Sequence, residues 1–276
     1  MQKAKIIILA GQSNAVGVGH VEYLPRHFDE QTIEKFTSGY DNVLINYFSH
    51  DIKSGGFVKT AVGCTEATKN TLGPEVGIAQ TLTEKYPDEK FYIVKCAFGG
   101  TNLYHDWLSA SNSGEYDKLA CDDGNTSGEH YRTAGWCYNE LIKILAESIA
   151  ELEKQNFLPE ICAFCWMQGE SDADKEHYPQ YGKLYQTLLD DLAETFGKYY
   201  NNCVFVDAGI SEIWQEYEQV NRIKKRHAEN TPDSFYIDTI ANGLATLNEP
   251  EPEADIAHYD SGCTVKLGNL FADFIK

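Results

Sequence analysis

Apolar runs that do not alternate with polar residues recur along the chain, each short enough for one strand. Lys5-Ile6-Ile7-Ile8-Leu9-Ala10 is the first, and similar runs predict strands near residues 4–10, 43–48, 90–97, 161–167 and 203–208, with a short one at 235–238. Unbroken Ile, Val and Phe content suits strands buried on both faces, as in a parallel sheet covered by helices. Between these runs the apolar period becomes helical. Gly73-Pro74-Glu75 opens one helix, with proline in its first turn and an acid at the positive end of the dipole, and it continues through Ile78 and Leu82. Leu141, Leu145, Ile149 and Leu152 stripe a helix over about 137–154, and Tyr181, Leu184, Tyr185, Leu188 and Leu192 another over about 178–199. Leu267, Leu270, Phe271 and Phe274 fall at i, i+3, i+4 and i+7 and predict a terminal helix packed back on the sheet. The pattern is α/β: a three-layer α/β/α sandwich with a mainly parallel central sheet. No polar or Pro-rich linker interrupts the 276 residues, so one domain over 1–276 is expected.

In an open parallel sheet, ligands and chemistry collect beyond the carboxyl ends of the strands. The first strand runs straight into Gly11-Gln12-Ser13-Asn14, which places a serine there. Near the other end of the chain stands Asp255-Ile256-Ala257-His258, where three-residue spacing in one turn can bring the carboxylate and the imidazole to one side. Held at one nitrogen by Asp255, His258 would take the Ser13 proton with the other as the hydroxyl attacks a carbonyl. Two more strand ends carry possible donors for an oxyanion. Phe98-Gly99-Gly100-Thr101-Asn102 offers backbone N–H groups bared by paired glycines, and Gln168-Gly169-Glu170-Ser171-Asp172 offers the Gln168 amide. Glycine turns after strands are also ordinary punctuation, and Asp172 can equally cap the helix that follows.

Four of these segments, in this order, resemble the motif blocks of the SGNH-hydrolase superfamily: Gly11-Gln12-Ser13-Asn14, Ala97-Phe98-Gly99-Gly100-Thr101, Trp166-Met167-Gln168-Gly169-Glu170-Ser171-Asp172, and Asp255-x-x-His258. The set looks most like the sialate O-acetylesterase/acetylxylan-esterase branch, carbohydrate esterase family 6. The resemblance implies a flavodoxin-like SGNH-hydrolase fold, with Ser13 as nucleophile, His258 as general base and Asp255 as its partner. It implies an oxyanion hole of the Ser13 amide, a Gly99 or Gly100 amide and the Gln168 side chain. Gln168 stands where the superfamily has Asn. Gln12, Asn14, Thr101, Glu170 and Trp107 are then expected to bind substrate or support the groups that do. The implied activity is removal of small acyl groups, acetyl above all, from sugar hydroxyls, without a cofactor. A non-catalytic carbohydrate binder on the same fold and an O-acyltransferase using the same residues remain the alternatives.

Composition narrows the partners. With 42 acidic and 23 basic residues the net charge is −19, which repels nucleic-acid phosphates and anionic membrane surfaces. No stretch is long enough to span a bilayer. The apolar run after Met1-Gln2-Lys3-Ala4-Lys5 is too short for a signal-peptide core, so a cytoplasmic location is expected unless a leader has been removed. Of eight cysteines, Cys96, Cys162, Cys165 and Cys203 fall in strands expected to be buried, which points to reduced core thiols. Cys162 and Cys165 lack a second pair at zinc-ligand spacing, so no metal is expected. Residues 105–133, with His105, Trp107, Tyr116 and His130-Tyr131-Arg132, form a loop too long for a plain connector, and Glu22 to Tyr40 a second possible wall. Trp107 could stack on a sugar or plug the core. The histidines other than His258 are expected in surface or structural roles. Oligomeric state is not encoded in any of these patterns.

Overall fold

The computed structural model describes residues 2–65, 70–112 and 133–276. Among the described residues six parallel strands form the sheet: β1 (Gln2–Gly11), β2 (Tyr40–Ser49), β3 (Phe91–Ala97), β4 (Phe157–Met167), β5 (Tyr200–Ala208) and β6 (Ser234–Ile237). Their order is β6-β5-β4-β1-β3-β2, extended at the β2 edge by the short antiparallel strands Ile52–Lys53 and Val58–Thr60. Successive strand residues point to opposite faces, yet Ile6, Ile7, Ile8 and Leu9 of β1 are all buried, so both faces of the sheet centre are covered. The protein is a three-layer α/β/α sandwich.

Winding outward from β1 reverses direction once. The chain steps over β3 to the β2 edge, returns to β3, then crosses β1 to lay down β4, β5 and β6 in turn. The reversal point lies where β3, β1 and β4 run side by side. Gly11 at the end of β1 is in register with Ala97 of β3 and Met167 of β4. The three turns singled out in the sequence therefore leave the sheet at one level, on adjacent strands, at the crevice such folds use.

The main helices are α1 (Glu30–Ser38), α2 (Pro74–Lys85), α3 (Trp136–Lys154), α4 (Tyr178–Phe196), α5 (Tyr217–Asn230) and α6 (Ser261–Ala272). Helix α1 occupies part of the Glu22 to Tyr40 segment and is capped by Asp29, whose side chain accepts the Thr32 N–H at 2.8 Å. Helix α6 stops at Ala272, so Phe274 lies past its end and stacks on Phe235 at 4.7 Å. Its closest neighbour is α2. A β-carbon at Gly268 would come 1.9 Å from the Pro74 carbonyl, and one at Gly77 1.9 Å from the Val265 carbonyl, so only glycine permits this approach. The crossing fixes the start of α6, immediately after the His258 segment. The seven described cysteines are free, and all but Cys263 are buried; Cys121 lies outside the described residues. Among the described residues no helix is long and apolar enough to cross a membrane.

Candidate active site

Ser13 is the first residue of a single helical turn, Ser13–Val16, that begins as β1 ends. The Gln12 carbonyl accepts the Ala15 and Val16 N–H groups at 2.8 and 2.9 Å, which closes the turn and leaves the Ser13 amide among the helix-start donors with no intrahelical partner. A fully buried lysine holds the other end of the turn. Lys95 of β3 donates to the Val16 carbonyl at 2.6 Å, the Cys64 carbonyl at 3.2 Å and Glu75 at 2.7 Å. Burial pushes the Glu75 carboxyl up against the opposing pull of Lys95. A buried ammonium is tolerated only when its donors are all taken, and here each has an acceptor.

Beneath Ser13 a buried polar network ties the three turns together. The Gln12 side-chain oxygen accepts from the Gly169 and Ser171 backbone N–H groups at 3.3 and 3.2 Å and from Gln168 at 3.2 Å. Gln168 also donates to the Thr101 carbonyl at 3.1 Å and to Asp172 at 2.5 Å, and it is fully buried. Its two N–H groups are thus shared among three interior acceptors. The amide expected to face an oxyanion faces the protein interior. The Asp172 carboxylate in turn accepts the Leu103 N–H at 2.9 Å, just beyond the glycine turn, and does not serve as a helix cap. Burial, partly offset by the Gln168 and Leu103 hydrogen bonds, pushes Asp172 up to about 7. Thr101 donates to the Phe98 carbonyl at 2.8 Å and receives the Trp107 indole N–H at 2.9 Å. Trp107 is fully buried and edge-on to Trp166 at 5.1 Å, so it plugs the core and offers no face to a sugar.

On the opposite flank, Asn14 connects the serine turn to the histidine segment. Its amide nitrogen donates to Glu170 at 2.9 Å and to the Ala257 carbonyl at 3.4 Å, and its oxygen accepts the Tyr259 N–H at 3.0 Å. One buried side chain, next in sequence to Ser13, therefore grips the backbone on both sides of His258. Tyr259 is fastened further by its hydroxyl, 3.3 Å from the Gly209 carbonyl just past β5. The His258 Nδ1 lies 2.5 Å from an Asp255 carboxylate oxygen. The His258 side chain is 24% exposed and Asp255 47%, so this pair faces solvent at the rim. No hydrogen bond joins Ser13 to His258 among the described residues. Glu170 is buried, with one oxygen on Asn14 and the other without a partner among the described residues, and burial pushes its carboxyl up.

Gly99 lies against Ser13 as the motif order implies: a β-carbon built on it would sit 3.9 Å from Ser13 Cβ. The same point is 2.9 Å from Cε1 of His50, one of the histidines expected in a surface or structural role. No motif marks His50; only its place at the end of β2 brings it here. His177 is placed in a comparable turn. It has a carboxylate at the same spacing as His258, with Asp174 2.6 Å from its Nδ1, and its ring stacks on Tyr104 at 3.7 Å. His105 is buried beside Asp106. Tyr116 and His130-Tyr131-Arg132 lie outside the described residues. Among the described residues no group of three or more His, Cys, Asp or Glu is arranged to hold a metal ion.

A doubly wound sheet with its polar residues gathered on the central strand ends is the architecture of the SGNH-like esterases. The chain belongs to the carbohydrate esterase, sialic acid-specific acetylesterase family, whose model matches residues 3–276, and it is a carbohydrate O-acetylesterase by that membership. Solved structures of the same fold include a protein from Arabidopsis thaliana, 17% identical with a TM-score of 0.63, the alignment covering 99% of this chain and 97% of that one. NanS is 13% identical with a TM-score of 0.65 and the same coverage. A carbohydrate acetylesterase from Xanthomonas citri is 13% identical with a TM-score of 0.60, covering 98% of this chain and 55% of that one. At these identities the likeness is one of fold. No curated protein matches the sequence.

Proposed function

We propose that the protein hydrolyses O-acetyl esters of sugars through a serine nucleophile, with Ser13, His258 and Asp255 as its triad. The observation that carries this reading is the Asn14 clamp, which binds the backbone on either side of His258 to the residue next to Ser13. Asp255 fixes the tautomer with the proton on Nδ1, and Nε2 is then the base. As Ser13 Oγ attacks the ester carbonyl carbon, its proton passes to His258. The oxyanion forms against the backbone amides of Ser13 and the Gly99-Gly100 turn, which cost little reorganisation because Lys95 and the Gln12 network fix both segments. The bond to the sugar oxygen then breaks, and His258 returns the proton to that oxygen. Water attacks the acetyl-serine by the same route, releasing acetate and restoring the hydroxyl. Gln168 enters as the support that holds the second and third turns in place.

The test is kcat/KM on 4-nitrophenyl acetate, 6-O-acetylglucose, acetylated xylobiose and O-acetylated N-acetylneuraminic acid. Turnover of at least one sugar ester is expected, and Ser13→Ala should reduce it by about 10⁴-fold. Undiminished turnover by Ser13→Ala would end the assignment of the nucleophile.

A further inference from the structure

His50 has an unusual backbone for its residue type. It is the first of two residues in the tight turn between β2 and Ile52–Lys53, where Ser49 pairs with Ile52, and its φ is +48°. Left-handed backbone favours glycine or asparagine at such turns, and a histidine there is uncommon. Its N–H bonds to the Ala97 carbonyl at 3.2 Å, which ties it to the residue two before Gly99. The half-buried imidazole then lies over Gly99, with Nε2 3.3 Å and Cε1 2.9 Å from the position of a β-carbon at 99. Ser13 Cβ is 3.9 Å from that same point. A β-carbon at 99 would crowd the His50 ring and make only an ordinary contact with Ser13, so glycine is what lets the ring lie this close.

The sheet order gives the direction. His50 follows β2 and lies over Gly99 on the β3 and β2 side of Ser13, whereas the backbone beside His258 is tied through Tyr259 to Gly209, past β5, and through Asn14 to Glu170, past β4. The carbonyl carbon under attack carries three groups whose destinations chemistry dictates. Its oxygen goes to the amide donors, and the leaving oxygen must stay within reach of His258, which protonates it. The acyl carbon is left to point away from His258, past the Gly99-Gly100 turn towards the β2 flank, where His50 stands. We propose that His50 is the wall of the acyl pocket, and that its ring limits the substrate to acetyl esters by filling the space a longer chain would need. This rests on the serine-esterase reading above.

The test is the ratio of kcat/KM for 4-nitrophenyl butyrate to that for 4-nitrophenyl acetate, in the wild type, His50→Gly and His50→Asn. Glycine and asparagine both suit a left-handed turn residue. Two methylenes admitted to an opened pocket are expected to raise the ratio on the order of tenfold or more in both variants, since one methylene alone discriminates about 10-fold or more in tight pockets. A general loss of structure would lower both rates and leave the ratio alone. A ratio within about threefold of wild type in both variants overturns the proposal. If Ser13→Ala keeps its activity, the esterase reading falls first and His50 loses its role with it.

Discussion

Two aspartate–histidine pairs in this molecule share a spacing and nearly share a geometry. Asp255 and His258 are three residues apart with 2.5 Å between carboxylate and Nδ1, and Asp174 and His177 are three apart with 2.6 Å. Both pairs sit in turns just before a helix, and both carboxylates are partly exposed. What separates them is the rest of the neighbourhood. His177 lies flat on Tyr104, with 9° between the ring planes, which occupies one face of the imidazole. Burial raises the Asp174 carboxyl, but hydrogen bonds from the His177 ring and from backbone N–H groups outweigh it and hold the group below its ordinary value. Among the described residues His258 has no such stack, and the backbone on either side of it is tied to Asn14, the neighbour of Ser13. On the proposed reading, an Asp-x-x-His turn prepares an imidazole, and a rigid connection to the serine turn puts it to use.

Removing each ring in turn breaks the comparison most sharply. His258→Ala is expected to lower kcat/KM on 4-nitrophenyl acetate by about 10³–10⁴-fold, because the serine loses its base. His177→Ala should stay within about threefold of wild type in the same assay, with its effect confined to the melting temperature through loss of the Tyr104 stack. A smaller effect comes from loosening the connection and keeping both rings. Asn14→Ala releases the Ala257 and Tyr259 backbone and should cost about 10- to 100-fold, mostly in kcat, since displacement of a catalytic group by an ångström can cost about 10². The same substitution leaves a buried Glu170 oxygen and the Tyr259 N–H unpaired, which is expected to destabilise the fold by about 1–3 kcal/mol in a thermal or denaturant titration. Wild-type kcat in that variant would show that the clamp does not position His258.

The sheet was legible in the sequence because its strands are buried on both faces, so their apolar runs are unbroken. Helices α1 and α5 were not. Phe36 is the one fully buried residue of α1, and α5 buries Val220 beside Lys224, whose ammonium is spent on Asp207 at 2.6 Å and the Ala208 carbonyl at 2.7 Å. An inward-facing stripe containing a lysine looks polar. Asp207, pushed up to about 6 by burial against the pull of Lys224, hides in the same way at the end of β5. At the site, residue identities and strand-end positions were readable from motif order, which placed Ser13, Gly99, Gln168 and His258 on their turns. Side-chain direction was not. The inward turn of Gln168 depends on Asp172 and Gln12 lying within its reach, and the burial of Trp107 on Thr101 and Trp166. His50 carries no sequence signal at all, because its place beside Gly99 comes from the parallel pairing of β2 with β3.

The most direct measurement is covalent labelling by a fluorophosphonate, located by mass spectrometry, in the wild type, His258→Ala and His177→Ala. Phosphonylation needs an activated hydroxyl and no particular sugar. The label is expected on Ser13 in the wild type and in His177→Ala at comparable rates, and to be lost in His258→Ala. A label that persists on Ser13 without His258, or that vanishes with His177, would contradict the pairing of Ser13 with His258.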